Sequence, residues 1–286
     1  MPSKSIVLLA ISLLPLAAGA QQVVAPGGVA ELAGPRAIGI GAAIGIASGN
    51  DGIYVNPGAL AARRRYSAEA QGWFERRGAE TTEKIFSASV ADSLSSSVAA
   101  AAAYGQATEG LEKGSIFHLA LAGPVSDGIF LGVAGKYLDL SGERSVSAAT
   151  VDAGILWQVA DYAALGFAGY NLAPTNHELD LPRGVGAGIS IGSDRGFQGM
   201  FDWRADLDRR GRTTNRYAFG AEVLLGDVAP LRAGYMIDET LDTKWWSIGA
   251  GLVSANGGGV DVAYRQSVTD PNARVIAVAA KLQFAQ

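Results

Sequence analysis

From about Tyr66 to the end of the chain the side chains alternate with a period of two, and no other feature narrows the fold as far. Phe197, Gly199, Phe201, Trp203 and Ala205 fall on one face, and Gln198, Met200, Asp202, Arg204 and Asp206 on the other. Ile276, Val278, Ala280, Leu282 and Phe284 alternate in the same way with Ala277, Ala279, Lys281 and Gln283. Tyr217, Phe219, Ala221, Val223 and Leu225 repeat the pattern against Arg216, Gly220 and Glu222. Alternation sustained over about 8–10 residues marks strands with one apolar and one polar face. About fourteen such runs occur, centred near residues 71, 86, 101, 119, 134, 152, 167, 188, 201, 220, 234, 249, 263 and 279. That spacing leaves roughly 9–11 residues per strand, the length a tilted strand needs to cross a bilayer. An even count also returns both ends of the sheet to the same side of a membrane.

The connections alternate too. Residues 76–82, 106–114, 141–145, 172–183, 206–215, 238–244 and 266–273 read as longer polar loops. Residues 93–95, 124–127, 158–161, 193–196, 226–229 and 255–258 read as tight turns. Long and short connections in turn are expected of an outer-membrane barrel, with loops outside and turns at the periplasm. A soluble β-sandwich is the alternative, but its loops would not alternate and its outward faces would be polar. Closing the strands with the apolar face outward leaves no unpaired edge in lipid. The 38 Gly and the 17% charged residues suit such a barrel, whose inward side chains must fit a limited lumen. Tyr66, Trp73, Phe74, Tyr137, Trp157, Tyr162, Tyr170, Trp245 and Trp246 lie towards strand ends, where rings favour the headgroup level. By parity Trp73 and Trp245 also suit the lumen.

The start of the chain is different. Lys4, the apolar run 6–14 and the small residues Ala18, Gly19 and Ala20 form a secretion signal, with cleavage expected after Ala20. The apolar run is too short to span a bilayer as a helix. Residues 21–65 show no strand alternation and are rich in Gly, as suits a plug tucked into the lumen of a barrel formed by residues 66–286. With no Cys there is no disulfide framework or thiolate metal site. The net charge of −4 argues against a nucleic-acid partner.

Residues 34–61 read GPRAIGIGAAIGIASGNDGIYVNPGALA. Gly34, Arg36, Ala37, Gly39, Gly41, Ala43, Asp51, Asn56, Pro57 and Leu60 resemble the N-terminal signature of the FadL/PorV-like outer-membrane barrels. A weaker echo follows a central strand, where Tyr170-Asn171-Leu172 precedes Leu181-Pro182-Arg183. Gly58 and Val55 depart from the usual residues around Asn-Pro, and Phe284 stands in for a terminal aromatic. The resemblance implies an antiparallel transmembrane barrel of about fourteen strands with an N-terminal plug. It implies passage of small hydrophobic molecules such as fatty acids, gated by the plug, with a lateral opening in the wall. Asn56, Pro57, Gly58, Asp51 and Arg36 are then the ligand and gate residues. It equally admits a barrel that does not transport but anchors or docks a secretion, motility or other envelope complex. The short loops favour that reading, because FadL-type capture uses long ones. An open porin is the third reading.

Parity places Glu69, Gln71, Lys136, Asp202, Arg204, Glu222, Arg232, Asp261, Arg265 and Lys281 on the lumen face. Their mixed signs suit a network of pairs, or a gated polar pathway, better than an ion-selective ring. No catalytic constellation stands out. His118 falls mid-strand on the lumen side, and His177 lies in a loop with Glu178 and Asp180, a group that could hold a cation only weakly. Neither an enzyme nor a cofactor or metal site is expected. The partners expected are outer-membrane lipid and either a hydrophobic ligand or an envelope protein complex.

Overall fold

The computed structural model describes residues 31–46, 49–77, 81–109, 112–142, 145–177, 180–208, 211–254 and 256–285. The expected signal and residues 21–30, 47 and 48 of the expected plug lie outside them. Fourteen strands form: β1 Arg65–Arg77, β2 Thr81–Asp92, β3 Ala99–Glu109, β4 Glu112–Ser126, β5 Ile129–Ser141, β6 Val146–Ala160, β7 Ala163–Tyr170, β8 Gly184–Gly192, β9 Phe197–Asp206, β10 Thr214–Leu225, β11 Ala229–Asp238, β12 Thr243–Val253, β13 Gly258–Ser267 and β14 Arg274–Ala285. Each pairs antiparallel with its sequence neighbours, and β1 pairs with β14 to close the barrel. At the seam Tyr66 faces Phe284 and their rings stack with centroids 6.5 Å apart. The Ala-rich run forms β3 in register with β2 and β4.

The period of two becomes an inside and an outside. Along β5 buried and exposed residues alternate from Leu131 to Ser141. Phe86, Leu119, Val133, Phe167, Phe219 and Ile248 are among the large apolar side chains on the exterior, where a bilayer covers them. Trp157, Tyr162 and Trp246 are exposed, as headgroup-level rings should be. Trp73, Tyr170 and Trp245 are buried in the lumen, so for Tyr170 the expected interfacial position is corrected.

One expectation about the wall changes. Residues 76–82 and 106–114 are mostly strand, because β1 to β4 run on beyond the polar residues that read as loops. A strand that rises above a bilayer needs no apolar face, so polarity there marks depth and not a turn. Every pair of neighbouring strands is joined by a ladder, but the one between β6 and β7 begins only at Ala153 of β6, so residues 146–152 have no strand partner on that side. The wall thins above Tyr170, where loop 171–183 replaces β7 beside β6 and Leu172 donates its backbone N–H to Val151 O.

Residues 31–46 and 49–62 pack against the inner face. They form helix α1 Pro35–Ile40, helix α2 Gly52–Val55 and the 3-10 turn Pro57–Ala61. Pro35 opens α1 with no N–H to leave unpaired, and Gly41 ends it at φ 79°, a left-handed conformation that favours glycine. The wall is cut to fit this segment. A Cβ on Gly132 would overlap Pro57, one on Gly166 would overlap Ile44 O, and one on Gly234 would overlap Ile40 O. Glycine in a strand weakens it unless another backbone must come close. Here that backbone is the N-terminal segment.

Candidate functional site

Asn56 joins three pieces of the interior with one amide. Its Oδ1 accepts the Gly58 N–H at 3.2 Å and so caps the 3-10 turn. Its Nδ2 donates to Ile44 O at 2.9 Å and to Ile155 O on β6 at 3.0 Å. Pro57 and Gly58 lie flat on β5 and β6. A Cβ on Gly58 would stand 2.8 Å from Gly154 O and 2.9 Å from Phe130 O, which explains glycine after Asn-Pro here.

Asp51 stands at the N-cap of α2, but its side chain makes no capping bond there. Its carboxylate reaches back and accepts the Gly34 N–H at 2.6 Å, stapling the start of α1 to the start of α2. Burial pushes this carboxyl above the ordinary carboxylate range, against the opposing pull of the Gly34 bond, Arg36 and Lys281. Asp202, read as a lumen charge, also serves the segment. One oxygen accepts the Ala43 and Ile44 N–H groups at 2.6 and 2.8 Å. Ser190 Oγ donates to Gly45 O at 2.7 Å and Ser247 Oγ to Gly39 O at 2.9 Å. The wall thus grips backbone groups that a short irregular segment cannot satisfy by itself.

Arg36 begins a chain of ion pairs. It binds Glu222 twice, at 2.7 and 3.0 Å; Glu222 meets Arg232 at 2.6 Å; and Arg232 meets Asp261 at 2.6 Å. Asp261 is also bridged by Lys281, which faces Glu69 across β1 and β14. Burial works against the Arg36 charge, and Glu222 more than restores it, leaving the guanidinium raised above its usual value. Five of the expected lumen charges therefore sit in one lattice around the segment, as a structural network requires.

The other expected charges lie beside a cavity of about 480 Å³ that rests on the segment. Leu32, Ile38, Ile44, Trp73, Met236 and Trp245 give it apolar surface. Lys136 pairs with Asp152 at 2.8 Å, and Asp152 accepts the Asn171 N–H at 2.7 Å. His118 faces Lys136 across β4 and β5, and the Tyr54 ring meets His118 edge-on at 5.3 Å. Arg265 sits over Trp245, 5.5 Å from the ring centroid. Arg204 lies over the Tyr170 ring at 4.3 Å and pairs with Asp206 at 3.1 Å and Glu31 at 3.5 Å. Arg216 pairs with Asp238 at 3.0 Å and Glu31 at 3.2 Å. Asp180 also lines the cavity, whereas Glu178 lies outside the described residues.

Parity thus found the inward charges but missed several partners. Glu31 precedes the Gly-rich signature and belongs to no strand. Asp152 and Asp238 are lumen-facing by the same alternation that found Lys136, and that signal was available. Ser190 and Ser247 carried none, because their partners are backbone oxygens 145 and 208 residues away.

No family model and no curated protein sequence matches the chain. Solved structures do. The Ralstonia pickettii toluene transporter TbuX superposes with a TM-score of 0.65 at 12% identity, covering 88% of this chain and 97% of that one. The monoaromatic hydrocarbon channel CymD gives 0.64 at 14% identity, covering 89% and 98%. A Pseudomonas aeruginosa FadL homologue gives 0.61 at 13% identity, covering 87% and 98%. At such identities the likeness is one of fold, and the fold is the FadL-type fourteen-strand barrel.

Proposed function

We propose that this barrel passes small hydrophobic molecules across the bacterial outer membrane and that residues 31–62 gate the passage. The observation that carries the reading is the cavity of about 480 Å³, apolar and aromatic on much of its surface and floored by the N-terminal segment. Its size lies within the roughly 300–1,000 Å³ of small-molecule sites. A barrel that only anchored a complex would have no use for this space and would fill its lumen throughout. The solved likenesses include transporters of toluene and other monoaromatics, which suits a compact aromatic cargo at least as well as a fatty acid. The segment floors the cavity, so a route past it requires some of its anchors to release.

The test is native mass spectrometry of the barrel taken from its own membrane in mild detergent. The proposal predicts a bound hydrophobic molecule of defined mass that is lost when Ala218→Phe fills the cavity. An empty barrel holding a stoichiometric protein partner contradicts it.

A further inference from the structure

The register sets Arg204 on β9 directly opposite Arg216 on β10. Like charges directly opposed on a sheet repel, so this pairing needs a reason. Each guanidinium is first fixed from the wall. Arg204 Nε donates to Asp206 Oδ1 at 3.1 Å, and Arg216 Nε donates to Asp238 Oδ2 at 3.0 Å. With both Nε groups held, the remaining Nη groups converge on one carboxylate, that of Glu31. Arg204 Nη2 lies 3.5 Å from Oε1, and Arg216 Nη1 and Nη2 both lie 3.2 Å from Oε2.

The two kinds of partner are held differently. The wall carboxylates are 3% and 1% exposed, whereas the Glu31 side chain is 32% exposed. Glu31 belongs to the N-terminal segment and the arginines to the wall, so the more exposed contact is the one that joins two parts of the molecule. Beside it lie Tyr170, Met236 and Trp245, all facing the same cavity.

We propose that Arg204 and Arg216 form a binding site for a small aromatic monocarboxylate, which Glu31 occupies until such a ligand displaces it. This rests on the transport reading above and names a cargo class and a control for it. The incoming carboxylate replaces the Glu31 carboxylate one for one, so the charge at the fork is unchanged. The aromatic body lies against Tyr170 and Trp245. The displaced Glu31 then no longer ties the leading end of the segment to β9 and β10, and binding is coupled to loosening of the gate.

The test compares benzoate with toluene by titration calorimetry on the purified barrel. Glu31→Gln should bind benzoate roughly tenfold tighter than the parent, and Arg216→Gln should bind it at least about tenfold more weakly. Toluene carries no carboxylate, so neither variant should change its affinity by that factor. The chain has no cysteine, so Ala33→Cys supplies a single thiol beside Glu31, and benzoate should speed its modification. Toluene binding with no benzoate binding, even to Glu31→Gln, overturns this inference and leaves the transport reading standing. Failure of both ligands overturns both readings. Equal benzoate affinity in parent and Glu31→Gln, or a thiol rate indifferent to benzoate, overturns the displacement without reliance on the arginine variant.

Discussion

The amide oxygen of Asn56 occupies the space that a side chain on Gly154 would fill. The glycine on β6 and the asparagine before Pro57 are therefore two halves of one contact, 98 residues apart. Gly154→Ala should push the 3-10 turn off the wall. Overpacking of this kind typically costs about 1–3 kcal/mol. Hydrogen exchange should show the Gly58 and Ala59 amides losing protection while the strand amides of β10 to β12 keep theirs.

Asn56→Asp tests the amide itself. It keeps the acceptor for Gly58 but replaces a donor facing Ile44 O and Ile155 O with an anionic oxygen. A buried group left without its partner costs about 1–3 kcal/mol, and more when charged. Asn56→Asp should therefore be more damaging than Asn56→Ala, measured as the urea midpoint of the folded barrel in detergent. The reverse order would mean that the amide bonds do not hold the segment.

Arg232 lies between two buried carboxylates, Glu222 and Asp261. Removing one partner of a buried ion pair typically costs about 3–5 kcal/mol, because the charge left behind stays desolvated. Arg232→Met should lower the same midpoint strongly, and Glu222→Gln with Asp261→Asn in that background should recover a substantial part. No recovery would place the effect in packing instead of charge.

Asp51 makes a prediction about pH. Burial raises its folded pKa above the ordinary value near 4, so its carboxyl favours the folded segment most when protonated. The contribution is fully present below the unfolded pKa and is lost as pH rises through the raised folded one. Asp51→Asn keeps an acceptor for Gly34 and removes the titration. The variant should gain stability over the parent as pH climbs from about 4 towards neutrality, and the two should converge in acid. A constant difference across that range would contradict the assignment.

Much of this was legible in the chain. Alternation gave the number of strands and the faces of Lys136, Asp202, Glu222 and Lys281, because a period of two maps directly onto inside and outside. The Gly-rich stretch around Asn56 marked the segment that enters the lumen. Partners were not legible, because register between distant strands decides them. Asp51 was legible only as a member of the signature, and its partner, the Gly34 N–H, was not. Polar residues 106–114 looked like a loop because strand and loop share a composition once a barrel wall leaves the lipid. Glu31 lay outside every pattern, and only its position opposite two arginines gives it a role.

On the proposed route the segment must move for cargo to pass. Position 39 on α1 and Ala263 on β13 allow a direct test, since a Cβ at Gly39 would lie 3.6 Å from that of Ala263, within disulfide range. In the Gly39→Cys/Ala263→Cys variant, uptake of radiolabelled toluene should fall to the level of cells lacking the barrel when the pair is oxidised, and recover on reduction. Uptake that is the same in the oxidised and reduced states would contradict the gate.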